Sequence, residues 1–382
     1  MAATERAGQV LAATLLLPGL AAVSVVRAEE PPAEGVIAFK YGWYRDEQTG
    51  FQRVTVQSPQ VYILAPVAGK WSFEGTRVVD SVSGATPRLH TFTSSATPYM
   101  TDHRDATDVK VTRYFHRAAI AVGAAYSDEN DYLSRTLGME ARFSSEDNNQ
   151  TWNFGFARSQ DKIDTSATGG FAFGERRRTT EAIAGLTQVL TPNDVVQLQL
   201  TRSIGSGYYS DPYKDFDRRP RRRNATIAHL RWNHHFDGPD ASLRTSWRYY
   251  ADSFGIRSHT LSGEWVRTMG AWTIAPGIRY YRQSAASFYF DPVPNAAGVP
   301  DIVLTALSTI PLTGFRSGDA RLAAFGAVTI SLKVGYAISA VTAVDVKLEA
   351  YRQSQSLRMG GGSPYLDPTR ARFVQLGWSH KF

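Results

Sequence analysis

The chain ends Val374-Gln375-Leu376-Gly377-Trp378-Ser379-His380-Lys381-Phe382. Successive side chains of a β-strand point to opposite faces. Val374, Leu376, Trp378, His380 and Phe382 therefore share one face, and Gln375, Gly377, Ser379 and Lys381 share the other. The first face is apolar or ring-bearing; the second is small or polar. Such a strand separates an apolar medium from water.

The same period of two recurs through the chain. Ile37, Phe39, Tyr41 and Trp43 alternate with Ala38, Lys40 and Gly42; Trp152, Phe154 and Phe156 with Asn153, Gly155 and Ala157. Leu322, Ala324, Val328, Ile330, Leu332 and Val334 oppose Arg321, Thr329, Ser331 and Lys333, and Val344, Val346 and Leu348 oppose Asp345, Lys347 and Glu349. Connections alternate in length: short at Val67–Lys70, Ser145–Gln150, Thr191–Asp194, Asp237–Asp240, Thr268–Ala271 and Ala337–Thr342. They are long at Ser81–Asp105, Asp161–Glu175, Gly205–Arg221, Ser284–Gly318 and Ser354–Thr369. Short turns on one side and long loops on the other are the pattern of an all-β, transmembrane, antiparallel up-and-down barrel. The count is about sixteen strands with both termini in the periplasm. It falls to about fourteen if 51–65, interrupted by Pro59, and the split near Phe115-His116-Arg117 fail. A soluble two-sheet sandwich also alternates, but so many strands without helical cover would form two domains, and no linker divides this chain.

The other end agrees. Val10 to Val26 is apolar or small apart from Thr14, Pro18, Gly19 and Ser24, and Val26-Arg27-Ala28 follows as a small-residue cleavage site. This reads as a signal peptide over 1–28, leaving 29–382 as one domain. An N-terminal membrane anchor is the alternative, against which stand its shortness and the Pro18-Gly19 break. The chain has no cysteine, which excludes disulfides, thiol chemistry and Cys-based metal sites. Aromatics make up 12% of it, and beyond Ala28 no run approaches a membrane helix. The closing strand, with Trp378 and the terminal Phe382, resembles that of bacterial outer-membrane barrels, whose last residue is the mark read by the barrel-assembly machinery. His380 departs from that pattern, in which Tyr is commoner.

Several stretches resemble a proteobacterial family catalogued as a domain of unknown function, number 3570. They are Asp80-Ser81-Val82-Ser83-Gly84-Ala85-Thr86-Pro87, Tyr126-Ser127-Asp128-Glu129-Asn130-Asp131-Tyr132-Leu133-Ser134, Trp247 through Thr260, and Arg279-Tyr280-Tyr281-Arg282-Gln283-Ser284. The resemblance spans nearly the whole mature chain. It implies an outer-membrane barrel and, as a partner, a small periplasmic lipoprotein near redox or flavin-handling proteins. It carries over no catalytic residue and no cofactor.

Five groups of residues could carry chemistry. Glu74, Glu140, Arg142, Arg244, Arg248, Glu264, Arg279, Lys333, Asp345, Lys347 and Glu349 fall on the face opposite the apolar one. Facing lipid at mid-plane, an Arg or Lys would cost about 2–4 kcal/mol; facing a wet lumen it costs little. They either line a charge-selective pore or pair with one another and fill the barrel. In loop 81–105, Asp102, His103, Arg104 and Asp105 are candidates for a constriction, or for a solvated external loop. Asp102, His103 and Asp105 resemble a metal cluster only loosely. Asp128, Glu129 and Asp131 at a tight turn are weak calcium candidates, lacking a glycine-pivoted loop.

The basic runs Arg176-Arg177-Arg178 and Arg218-Arg219-Pro220-Arg221-Arg222-Arg223 flank long loops and account for much of the net charge of +7. At an outer-membrane rim they would hold lipopolysaccharide phosphates or steer anions. A secreted barrel does not ordinarily meet nucleic acid, so that partner is not expected. Among the histidines, His229 and His235 share a face and His234 takes the other. No G-x-S-x-G or paired-acid spacing marks an enzyme, although a rim hydrolase is conceivable. The expectation is a porin-like pore in a Gram-negative outer membrane, passive or partner-gated. The alternative is a non-conducting scaffold that docks a periplasmic or lipoprotein partner for export or electron transfer.

Overall fold

The computed structural model describes residues 29–48, 51–84, 100–291, 293–297, 300–301, 305 and 313–382. The expected signal peptide and the segment 85–99 lie outside the described residues. The chain runs β1 (Val36–Gln48), β2 (Phe51–Val67), β3 (Trp71–Gly84), β4 (Met100–Phe115), β5 (Ala118–Asp128), β6 (Tyr132–Ser144), β7 (Gln150–Ile163) and β8 (Glu175–Thr191). It continues through β9 (Asp194–Gly207), β10 (Arg222–Phe236), β11 (Ala241–Asp252), β12 (Arg257–Met269) and β13 (Trp272–Gln283). A long connection carries two two-residue strands, β14 (Val293–Pro294) and β15 (Pro300–Asp301). Then come β16 (Phe325–Ala337), β17 (Thr342–Ser354) and β18 (Thr369–Lys381).

All but β14 and β15 close into one antiparallel sixteen-stranded barrel. β18 pairs with β1 from Val36↔Lys381 to Gln48↔Thr369, so no strand edge is left open. Barrel strands of 11 to 17 residues match or exceed the roughly 9–11 that cross a hydrocarbon layer. No helix is long and apolar enough to cross one.

Register and exposure define the two faces. Leu137 is 68% exposed, Ile330 61%, Val122 58% and Leu376 53%. These residues share the outward parity, which only an apolar medium satisfies over so wide an area. Rings gather outside near the rim that carries the termini. Trp272 lies 4.7 Å from Tyr336, Phe236 5.2 Å from Trp265 and Phe39 5.6 Å from Trp378, as in an interfacial aromatic girdle. Polar and small residues point inward.

The two doubtful strands are real, for reasons visible in the ladder. β2 runs through Pro59, which has no N–H to give. Its ladder to β3 skips from Gln57↔Ser81 to Gln60↔Val78, so no donor is needed there. β4 stops at Phe115 and β5 starts at Ala118, leaving only His116-Arg117 to turn. At the β1–β2 bulge between Arg45 and Glu47, Asp46 accepts from Val54 N (3.0 Å) and Arg53 Nη2 (2.7 Å), anchoring the extra residue. The β2–β3 turn places Ala68 and Gly69 at φ 50° and 64°, the positive values that a tight hairpin requires. Connections at the terminal rim are short, as expected. At the opposite rim the alternation is not strict, since β5–β6 and β11–β12 are joined by only residues 129–131 and 253–256.

Phe382 is pinned to the start of the barrel. Gly35 N donates to Phe382 O at 2.8 Å and Phe382 N donates to Gly35 O at 3.0 Å. A Cβ on Gly35 would sit 2.5 Å from the Phe382 ring, so the closing aromatic occupies the space that glycine leaves.

Candidate functional site: the inner wall and its loop cap

Cross-strand register puts all eleven charged candidates on the inner face. Several pair there: Glu74 with Lys110 (3.1 Å), Lys347 with Glu349 (2.7 Å), Arg244 with Glu264 (3.5 Å) and Lys333 with Asp345 (3.6 Å). Arg142 reaches Glu29 at 3.1 Å. The segment before β1 therefore enters the barrel mouth and meets β6, well round the wall. Glu140 faces the same interior and is exposed to it.

One wall differs from the rest. On β10, β11 and β13, Arg231, Arg248 and Arg279 point inward. Ser246 and Ser262, bonded at 2.7 Å, bridge the row from Arg231 to Arg279. No carboxylate lies within ion-pair distance of these three arginines among the described residues. Arg231 Nη1 donates weakly to Gln197 Oε1 (3.4 Å), while Arg248 and Arg279 lie over the Tyr250 and Tyr281 rings at 5.6 and 5.9 Å. His229 stands directly opposite Arg248. Across the barrel from β13, β5 presents Ala119, Ala121, Gly123 and Ala125 inward. Arg231 and Lys40 were not among the sequence candidates, although their parity against Trp232 and Phe39 marked them as inward.

Above the wall, loops from four connections pack together. Arg219 is 3% exposed. Its Nε donates to Asp217 Oδ1 and its Nη2 to Asp319 Oδ2, both at 2.8 Å. Arg321 Nε donates to Asp319 Oδ2 at 2.8 Å, Lys214 pairs with Asp211 at 2.8 Å, and Ser317 Oγ donates to Asp217. Main-chain bonds between Arg218 and Arg316 (2.9 and 2.8 Å) tie the two loops directly. Burial pushes the Asp319 carboxyl up, but Arg321, Lys214 and Arg219 outweigh it and hold the group well below the usual carboxylate range. Asp211 is held down in the same way by Lys214 and Arg321 against its burial. Beside this network Phe254 packs edge-on against Tyr209 (5.8 Å) and Phe288 (5.0 Å). A further loop joins through Phe171 N to Pro212 O at 2.6 Å.

One sequence expectation is corrected by these placements. Residues 100–105 are not loop: Asp102, His103, Arg104 and Asp105 lie in β4 opposite Val82, Ser81, Asp80 and Val79. Alternating charges extend the ladder there. Arg104 pairs inward with Asp80, and Asp105 pairs outward with Arg77 at 2.5 Å.

The basic runs divide between paired, buried and exposed residues. Arg177 turns inward to Asp161 (2.8 Å) and Tyr132 (2.6 Å), Arg219 is buried, Arg223 holds Asp252 (2.9 Å) and Arg221 holds Glu175 (2.7 Å). Arg176, Arg178, Arg218 and Arg222 are exposed.

The acidic turn does not converge. Asp128 is exposed and accepts from Tyr126 (3.3 Å), Asp131 is buried and accepts from Tyr213, and Glu129 is buried. Among the described residues no three His, Asp or Glu side chains are gathered as a metal site needs. His235 touches Ser242 at 3.3 Å and lies 3.8 Å from Asp237 and Asp240. Both carboxylates are 79% exposed, in a solvated turn. His234 faces outward and bonds Asp194 at 2.8 Å.

The family described as protein of unknown function (DUF3570) matches residues 7–377. The chain belongs to the DUF3570 family. No curated protein matches the sequence. Among solved structures this DUF3570 protein is similar to the siderophore receptor PirA from Pseudomonas aeruginosa, at 9% identity and TM-score 0.46. That match covers 90% of this chain and 62% of the receptor, less than two thirds of its length. It is similar to a bacterial polysaccharide outer membrane secretin at 9% identity and TM-score 0.49, over 91% of this chain and 98% of that one. It is also similar to a Pseudomonas aeruginosa FadL homologue at 11% identity and TM-score 0.43, over 91% and 90%. Identities this low and TM-scores below 0.5 transfer no ligand or partner to this chain.

Proposed function

We infer that this DUF3570 barrel is a porin-like pore of a Gram-negative outer membrane, with both termini periplasmic, that passes small solutes and favours anions. The observation that carries the reading is the inner wall of Arg231, Arg248 and Arg279, charges that face the interior without carboxylate partners. Arg279 is exposed on that face. In a narrow low-dielectric channel, fixed unpaired cations raise the local anion concentration and repel cations. The mechanism is diffusion past this wall, with the packed loops narrowing one mouth. Arg244, another of the inward candidates, adds less to this selectivity because it contacts Glu264.

The scaffold reading is favoured by a different observation. The loop cap lies over one mouth, and the segment from Glu29 to Gly35 enters the other. A partner bound at the terminal mouth would then draw that segment out, making the pore partner-gated, or would dock on a closed barrel.

Reconstitution in a planar bilayer separates the two. The pore reading expects discrete conductance steps and an anion-selective reversal potential in a salt gradient. Refolded protein that inserts but gives no steps would overturn the pore and leave the scaffold.

A further inference from the structure

Four arginines that the pore does not use face outward together. On β1 and β18, Arg45 stands directly opposite Arg372; on β17 and β18, Arg352 stands directly opposite Arg370. All four are exposed, and among the described residues none has a carboxylate within ion-pair distance. Among the described residues Glu47 is the acid beside them, opposite Arg370. Like charges held side by side across strands repel, so the sheet alone gains nothing from this arrangement. They rim a groove of about 560 Å³ whose floor includes Trp43 and Ile330.

The groove sits at one border of the apolar band. Going down β1 from Arg45, the outward residues are Trp43, Tyr41, Phe39 and Ile37; down β18 from Arg372 they are Val374, Leu376 and Trp378. On β17, Arg352 is followed by Ala350, Leu348 and Val346. The eight residue steps from Arg45 to Ile37 cover about 26 Å along the strand. A guanidinium cluster thus crowns a continuous apolar strip that runs to the aromatic girdle.

We propose that Arg45, Arg352, Arg370 and Arg372 bind the phosphorylated headgroup of a multiply acylated lipid, whose chains lie on the apolar strip below. Guanidinium forks match phosphate oxygens in pairs and keep their charge at every physiological pH. A phosphate between facing arginines turns their repulsion into attraction. The strip selects a lipid over a soluble phosphate, because only a lipid covers Trp43, Tyr41, Val374 and Leu376. The site rests on reading the outward face as lipid-facing, and not on conductance.

The full-length barrel in nonionic detergent, examined by native mass spectrometry with bis-phosphorylated lipid A as probe, tests it. A one-to-one adduct is expected, held at least about tenfold more tightly than dephosphorylated lipid A or pyrophosphate. Arg370→Gln with Arg372→Gln, and separately Arg45→Gln with Arg352→Gln, should each lose about tenfold in retention. Arg135→Gln with Arg158→Gln, exposed outward cations on β6 and β7, should lose none. Without lipid, the first two variants should melt no lower than the parent, since they relieve repulsion; a merely structural role would lower their melting. Equal retention of all three probes, or undiminished retention in both groove variants, overturns the site. Insertion into phosphatidylcholine vesicles is scored beside it. A barrel that inserts but does not discriminate loses the headgroup site alone, and one that does not insert loses the lipid-facing reading with it.

Discussion

Two sets of inward arginines, a few residues apart along the same barrel, live under opposite terms. In the loop cap Arg219 is buried and held by two carboxylates, and Arg223 and Arg177 each hold one. On the wall below, Arg231, Arg248 and Arg279 have tyrosine rings or an amide beside them and, among the described residues, no paired acid. A buried guanidinium survives only with its counter-charges in place. One that faces water needs none, and its field is then available to a passing solute. The difference teaches that partner and solvent, not residue type, separate an arginine that builds the protein from one that does its work.

The largest effect should come from breaking a cap arginine. Arg219→Ala strands Asp217, whose side chain is 0% exposed, without its cation and leaves Asp319, 4% exposed, to Arg321 alone. Leaving one side of a buried pair uncompensated costs about 3–5 kcal/mol. Because the cap is stitched from loops, that cost should be felt there and not in the barrel. Hydrogen exchange and limited proteolysis should show residues 208–221 and 313–324 losing protection while the strands keep theirs. Unchanged loop protection would mean that the network is not what holds the cap.

Next in size is the wall. Arg248→Glu with Arg279→Glu exchanges two unpaired cations for two anions where no acid is displaced. The reversal potential in a salt gradient should move from the anion side to the cation side, with melting close to the parent's. Arg244→Glu should move it less, because Arg244 already has Glu264 beside it. Equal shifts for both changes would erase the distinction between paired and unpaired arginines on this wall.

Acid sharpens the same contrast. The Asp319 and Asp211 carboxyls are depressed in the folded cap. Their contribution is therefore fully present above the unfolded value of about 4 and is lost only as pH falls through the lower folded values. Loop protection should hold from neutral pH down to about pH 4 and decay only in stronger acid. The wall arginines keep their charge across that whole window, so anion preference should outlast the cap. Loss of loop protection already near pH 6 would point to a histidine and away from the aspartates.

The barrel was legible in the chain because its rule is local. Alternation at 37–43, 151–158 and 374–382 needs only neighbours two residues apart, and Pro59 was survivable because its missing donor fell where the ladder has a gap. The same rule reached part of the site. On β8, parity alone turns Arg177 inward between outward Arg176 and Arg178. It failed at Arg219, which lies in a loop with no period and whose partner Asp319 is 100 residues away. It failed at Asp102–Asp105 for the opposite reason. A polar stretch looked like loop, yet Arg104 with Asp80 and Arg77 with Asp105 carry the strands beyond the apolar band. The outward cluster of Arg45, Arg352, Arg370 and Arg372 was hidden because it joins the two ends of the chain, which only barrel closure makes neighbours.

The smallest effect belongs to the pair that falls between the two sets. Arg142 faces the interior as the wall arginines do, but it has a carboxylate, Glu29, at 3.1 Å. Arg142 is 40% exposed, and an ion pair so accessible to water contributes about 0.2–1 kcal/mol. Arg142→Gln should therefore leave melting within about a degree or two of the parent. What it should change is the segment at residues 29–35, which loses its far tether while Gly35 stays bonded to Phe382. Protease added from the terminal side should cut that segment severalfold faster. If the pore is open, single-channel noise should fall as the free segment spends less time inside. Unaltered cleavage would place the hold on this segment in the Gly35–Phe382 bonds and the Glu34–Lys381 pair, and Arg142 would then rank with the wall arginines.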